Sequence, residues 1–435
     1  MHVVEQFAAW AEDARKRPFA ADVVHHARRA VIDWHAALLP GAVAAPATLL
    51  EKALKDELDR GSATLALGRK ATPRAAALIN GTAAHTVEVD DIFRDGIYHP
   101  GAPTIAAAHA LGTKPGLDAR FLRAVVVGYE ISTRIGAAMG REHYKYWHNT
   151  GTIGCFGACA AAAEILRLDR QRFAHALATV ATFSAALQQA FRMDSMSKPL
   201  HAGRAAEAGI TAALAAAEGV TGSLDVLEGD AGFGRAMGGN PDWGRAVATL
   251  GEDFHITRMT FKNHACCGHT FAAIDGALAL KEKMQVAAED IERVEVATYR
   301  AGVEVAHYAA PRTPAEGRFS LKYVVATALT HGSVRLAAFT PERLDDPATR
   351  RLLERVSVGI DPQLDASFPR QRAARVAIHA RGRREEHLQP TRVGDPDLPL
   401  SDAQLESKYM ELAVPVIGEE KAQALLRRLW QLDCQ

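Results

Sequence analysis

Ser197-Lys198-Pro199-Leu200-His201-Ala202-Gly203-Arg204-Ala205-Ala206 opens an alanine-rich run that continues to Glu218. A proline followed by small residues marks a helix start, because the first turn has N–H groups without partners and loses nothing to a proline. Pro199 at the first helical position predicts a helix over Ala202 to Glu218, with Lys198 at its positive end. Free N–H groups there attract carboxylates and phosphates, and a lysine adds charge to the same spot. A surface lysine beside a cap has the same local sequence, so the rest of the chain must decide. The segment just before it, Arg192-Met193-Asp194-Ser195-Met196, is polar and dotted with methionine.

Outward from this run, the first 260 residues read as helix after helix. Asp22 to Leu39 places Val23, Val24, Ala27, Ala30, Val31, Trp34 and Leu38 on one face, and Pro40-Gly41 is expected to end it. Thr72-Pro73 starts the next, through Ala75 to His85; Pro103–Leu111, Asp118–Met139, Gly154–Leu168 and Arg170–Gln189 follow. Alanine dominates, which suits close-packed helices buried on every side. The texture changes near Phe261. Ile291–Tyr299, Arg355–Ile360 and Arg375–His379 alternate as strands do, with helical runs at Ala272–Lys283 and Leu321–Thr330 between them. Asp402–Val414 and Glu419–Leu432 are helical again. The pattern predicts a mainly α protein with an α+β insertion.

The chain has 435 residues and 51 acids against 51 bases, which gives no reason to expect nucleic acid or an anionic membrane as partner. No apolar run reaches the length of a membrane span, and the N-terminus lacks a signal peptide's pattern. Cys155, Cys159, Cys266, Cys267 and Cys434 do not form a disulfide-like framework, so a reducing, cytoplasmic setting is expected.

Three further segments carry chemistry. In Glu88-Val89-Asp90-Asp91, followed by Arg94 and by His99-Pro100-Gly101, the acids sit at a helix C-terminus, which does not favour them. Asp90 and Asp91 therefore need partners, with Arg94, His99 or Lys198 as candidates. In Trp147-His148-Asn149-Thr150-Gly151, Asn149 or Thr150 is expected to cap the next helix. Gly151, Gly154 and Gly157 give that helix a thin face, and His148 at its N-terminus is expected to be neutral. In Lys262-Asn263-His264-Ala265-Cys266-Cys267-Gly268-His269, adjacent cysteines lack zinc-knuckle spacing, so no metal is assigned. A reactive Cys267 competes there with a buried small apolar one. Tyr323, at the start of an apolar helix, offers either a phenol in a cleft or core packing. Leu227–Gly234 is glycine-rich but follows no strand, so it gives no nucleotide signature.

Together these segments resemble the MmgE/PrpD family, which includes 2-methylcitrate dehydratase, cis-aconitate decarboxylase and iminodisuccinate epimerase. The resemblance runs from about residue 5 to about residue 430 and also takes in Leu227–Phe233 and Phe319–Tyr323. It implies a helical domain built from both chain ends, 1–260 and 393–435, an inserted α+β lid over 261–392, and commonly a homodimer. It aligns His99 and His148 with the family's site histidines, Lys198 and Lys262 with its lysines and Tyr323 with its tyrosine, and it matches the acidic segment at Asp90 and Asp91. Where the decarboxylase has a histidine five residues after its Lys262 counterpart, this chain has Cys267, which resembles the epimerase branch. The implied substrate is a small polycarboxylate bound by Lys198, Lys262, His269, Asp90 and Asp91. The implied chemistry removes a proton next to a carboxylate, with His99 or His148 as base and Tyr323 or Cys267 as second proton carrier, and it needs no metal, nucleotide or flavin. Dehydration and epimerisation are the expected outcomes; decarboxylation of the cis-aconitate type and non-catalytic binding of a small anion are the alternatives.

Overall fold

The computed structural model describes residues 1–112, 119–191, 195–239 and 241–434, and the chain is mainly α. It divides into two compact units, Met1–Phe261 with Ser401–Gln435, and Lys262–Leu400. Among the described residues, no single helix is long and apolar enough to cross a membrane.

The first unit begins with α1 (Val3–Ala14) and α2 (Ala21–Ala42), then a short hairpin of β1 (Leu58–Thr64) and β2 (Lys70–Ala71). There follow α3 (Pro73–Thr86), α4 (Gly101–Leu111), α5 (Ala119–Tyr144), α6 (Gly154–Ile165), α7 (Arg170–Ala181) and α8 (Ser197–Ala217). Every residue of α6 is buried, so this helix is the axis of the unit. Its neighbours reach it because small residues line the contacts. A Cβ on Gly157 would lie 2.4 Å from Thr104 Oγ1, and one on Gly203 of α8 would lie 2.1 Å from the Leu78 carbonyl oxygen of α3. Each alanine buries little area, so cohesion comes from many short-range contacts between closely spaced helices.

Several sequence expectations shift. Pro40 does not end α2, which runs on to Ala42. A proline in the last turn removes one hydrogen bond without stopping the helix, and Gly41 lies so close to α3 that a Cβ would meet the Ala83 carbonyl oxygen at 1.9 Å. Helix α7 stops at Ala181 instead of Gln189. The Thr182 hydroxyl donates to the Thr179 carbonyl and Ser184 to that of Thr152, and Ala186 has φ of 142°. Hydroxyls that bond nearby backbone compete with helix continuation. The expected start of α5 at Asp118 lies outside the described residues. Its expected end at Met139 meets Gly140, where φ 64° and ψ −161° interrupt the helix before Tyr144. Of the segment before Lys198, Arg192, Met193 and Asp194 also lie outside the described residues.

In the second unit, α9 (Phe271–Met284) and α10 (Leu321–His331) pack on a four-stranded sheet of β3 (Ile291–Thr298), β4 (Val356–Ile360), β5 (Ala374–Ala380) and β6 (Arg383–Gln389). The order is β4-β3-β5-β6, with β3 parallel to β4 and antiparallel to β5. Val296 pairs with Val358 on one side and Val376 on the other. Strand β6 reads Arg-Arg-Glu-Glu-His-Leu-Gln and has no apolar alternation, which is why the pattern did not reveal it. The signal that does reveal it is the two-residue turn Arg381-Gly382, both at positive φ, which closes a hairpin.

The chain closes with α11 (Asp402–Ile417), capped by Ser401 and Gln404 in a capping box, and α12 (Glu419–Trp430). Helix α11 packs on α2 in the first unit. There the buried Lys408 ammonium donates to Asp33 and, at 2.6 Å, to the Val89 carbonyl.

Candidate active site

The last turn of α3 delivers His85, fully buried. The chain then passes Glu88 at φ 61° and reaches Asp90 and Asp91. Ile92 forms a bridge with Thr260, and Phe93 pairs with Tyr98 around a tight loop that ends at His99, two residues before α4. Asp91 holds this loop closed: it accepts from the Tyr129 hydroxyl at 2.7 Å and from the Gly101 N–H at 3.0 Å. Both Asp91 oxygens are thus engaged inside the loop, where they brace it. Burial, with Asp33 nearby, pushes its carboxyl well above the usual range.

Asp90 differs. Its Oδ2 lies 2.8 Å from His85 Nδ1 and 3.1 Å from His99 Nδ1. Burial opposes the charge, but the two histidines outweigh burial and hold the carboxyl well below its ordinary value. The anticipated partners of the two acids were Arg94, His99 or Lys198; the structure supplies His99 and adds His85 and Tyr129.

His148 is the N-cap of a single turn, Asn149–Thr152, ahead of α6. Asn149 and Thr150, expected as caps, lie inside that turn instead. The Asn149 amide donates to the Gly96 carbonyl at 2.7 Å, and Thr150 Oγ1 accepts from the His99 N–H at 3.2 Å, so both bind the histidine loop. His148 Nδ1 faces His201 Nδ1 at 3.0 Å. One of these nitrogens must donate and the other accept, so the pair fixes one tautomer of each ring. His148 also stacks on His85 with ring centroids 5.5 Å apart, and His85 meets His99 at 4.6 Å. The result is a run of four imidazoles, His99, His85, His148 and His201. Burial lowers His99, and burial with neighbouring positive groups lowers His148 well below the ordinary histidine value, so both are neutral at neutral pH.

Helix α8 starts at Ser197, so Lys198 is its second residue and Pro199 its third. Any position in a first turn tolerates a proline, which is why the sequence misplaced the start by two residues. Lys198 pairs with Glu88 and keeps 22% of its side chain exposed. His201 follows one turn later.

The other predicted residues lie in the second unit. Lys262 is buried, and Cys267 is partly exposed and accepts the His269 N–H. Burial raises the Cys267 thiol despite nearby Lys262, Arg372 and Arg392, so it is a thiol and not a thiolate. His269 Nδ1 lies 2.9 Å from the Tyr299 hydroxyl, and Tyr299 stacks on Phe368 at 4.5 Å. Tyr323 is fully buried and its hydroxyl donates to the Ala338 carbonyl, the packing role. Among the described residues, the His, Cys, Asp and Glu atoms that gather closely enough for a cation belong to His85, Asp90 and His99, and not to the Cys266-Cys267 segment.

His85 and His201 were missed. The available signals were spacing: His201 lies three residues after Lys198 on one helix, and His85 lies five before Asp90.

Comparison with known proteins is consistent along the whole chain. The family model described as MmgE/PrpD N-terminal domain matches residues 5–246, and that described as MmgE/PrpD C-terminal domain matches residues 264–432. The cis-aconitate decarboxylase-like protein oryM of Aspergillus oryzae is 26% identical, over 99% of this chain and 95% of its own length. The cis-aconitate decarboxylase of Homo sapiens is 25% identical, over 83% of this chain and 77% of its own. The 2-methylcitrate dehydratase of Escherichia coli (strain K12) is 30% identical over 25% of this chain and 24% of its own.

Proposed function

Because this chain belongs to the MmgE/PrpD family, we propose that it is a lyase that transfers a proton at a carbon next to a carboxylate of a small polycarboxylate. The observation that carries the proposal is the run of four imidazoles, with His85 and His148 buried and His99, His148 and His201 held neutral, beside Lys198 at the start of α8. A neutral imidazole out of water is a competent general base. Lys198, at the positive end of the α8 dipole, holds a carboxylate and stabilises the enolate-like charge that develops. Glu88 already places a carboxylate against Lys198, and the substrate's carboxylate takes the same partner. His148 is the proposed base, with His201 fixing its tautomer; His99, held by Asp90, is the second acid/base group. In dehydration, loss of the proton is followed by departure of a β-hydroxyl as water. The family resemblance adds Lys262 and His269 as carboxylate contacts and Cys267, as a thiol, to the proton carriers.

A second reading, decarboxylation, is favoured by the near full-length similarity to the oryM protein. There a carboxylate leaves as carbon dioxide and the carbanion takes up a proton that the same imidazoles relay from water.

Incubation with citrate-, methylcitrate- and aspartate-derived acids and with cis-aconitate in D2O, followed by NMR, tests the proposal. Turnover with water loss supports dehydration, release of carbon dioxide supports the second reading, and exchange without net loss points to epimerisation. If no acid exchanges or turns over, the protein is a small-anion binder and the catalytic proposal fails. On the active substrate, Lys198→Ala is expected to lower kcat/KM by about 10²–10³-fold, the usual loss when one charge-stabilising donor is removed; an unchanged value removes Lys198 from the site.

A further inference from the structure

We propose that His85, Asp90 and His99 form a binding site for one divalent cation of the zinc class, and that its occupancy inhibits the enzyme. The three side chains come from the end of α3, the loop after it and the residue two before α4. One ligand atom from each lies within 4.8 Å of the others. Asp90 Oδ2 is within 2.8 Å of one imidazole nitrogen and 3.1 Å of the other. Two imidazoles and one carboxylate are a common zinc set, and three protein ligands leave a fourth position open. Unused bonding capacity is the second, independent observation. Among the described residues, Asp90 Oδ1 and His99 Nδ1, one of the imidazole nitrogens beside Asp90 Oδ2, are buried and make no hydrogen bond. A buried polar atom without a partner costs free energy that a ligand recovers. Access exists on one side, since the His99 side chain is 13% exposed.

Inhibition follows from electron pairs. An imidazole lone pair bound to a cation cannot accept a proton, so a loaded His99 is lost to acid/base chemistry. This arm rests on the lyase reading; the binding arm does not.

The full-length chain, stripped with EDTA and dialysed, is titrated with zinc chloride by calorimetry. One zinc per chain with micromolar or tighter affinity is expected. His85→Gln and Asp90→Asn are each expected to weaken it by at least about tenfold, whereas Cys267→Ser leaves it unchanged. Circular dichroism confirms that each variant is folded, and His99→Gln replaces any that is not. No saturable zinc binding, or equal affinity in wild type and both ligand variants, overturns the site. Turnover is then followed against zinc: activity falls with the midpoint measured by calorimetry and returns with EDTA. Activation, or bound zinc without inhibition, overturns the inhibitory role. Wild-type protein that binds zinc but turns over none of the tested acids refutes the lyase reading and leaves the site standing.

Discussion

His148 is placed so that its chemistry is set by its surroundings more than by its own nature. Burial lowers it first, and the nearby His85, Lys198 and His201 lower it further. A base must be unprotonated to act, so the acidic limb of the kcat/KM profile is expected well below pH 6.5, the ordinary histidine value. A pH–rate profile checks this; a limb at or above 6.5 would mean that His148 is not the base. His148→Gln is expected to cost about 10²–10⁴-fold in kcat/KM. How far single residues were legible follows from the same physics. Lys198, His99 and His148 stand at helix starts or beside rigid Pro-Gly geometry, where a polar side chain needs a reason. His85 sits inside an alanine-rich helix and looks like any core histidine, and only the fold brings it beside Asp90. Tyr323 begins an apolar helix, and the sequence could not tell a phenol facing a cleft from one bonded to a backbone carbonyl.

At the scale of elements, α8 positions both Lys198 and His201, so its seating on α3 controls the site. That seating depends on Gly203. An added methyl would meet Leu78's carbonyl oxygen at 2.1 Å and Thr82 Oγ1 at 2.3 Å, and backbone cannot move aside as a side chain can. Gly203→Ala is therefore expected to destabilise by about 1–3 kcal/mol, the usual cost of overpacking. Urea unfolding measures it, and kcat/KM is expected to fall more than for an alanine placed on the exposed face of α8. An unchanged midpoint would show that the helices separate freely. The long helices were legible because alanine-rich runs between breakers leave few alternatives. The end of α7 was not, because the Ser184 hydroxyl meets its partner, the distant Thr152 carbonyl, only once the chain has folded. Strand β6 was hidden by its charges.

At the scale of the whole molecule, distant parts of the chain are tied by buried charge. Lys408, from the C-terminal segment, is fully buried between Asp33 and the Val89 carbonyl, one residue before Asp90. Lys408→Met would leave Asp33 buried without its counter-ion, and removal of one partner from such a pair costs about 3–5 kcal/mol. Thermal unfolding measures that loss, and a variant as stable as wild type would show that the pair is dispensable. A wider consequence concerns acid. Burial lowers His35, His109, His201, His255 and His269 to about 4. Between pH 6.5 and 4 the unfolded chain takes up these protons and the folded chain does not, so their stabilisation is complete above 6.5 and drains away as pH falls. Burial acts in the opposite sense on three carboxyls, raising Asp33 to about 6, Glu130 to about 7 and Asp91 well above its ordinary value, and these bind protons in the folded state first. These five lowered histidines, with His99 and His148 added, outweigh the three raised acids, each tenfold difference in proton affinity being worth about 1.4 kcal/mol. The unfolding free energy is thus expected to drop by several kcal/mol from pH 7.5 to pH 5, measured by urea unfolding at fixed ionic strength. A flat or rising profile would mean that these histidines, His201 beside Lys198 among them, are solvated.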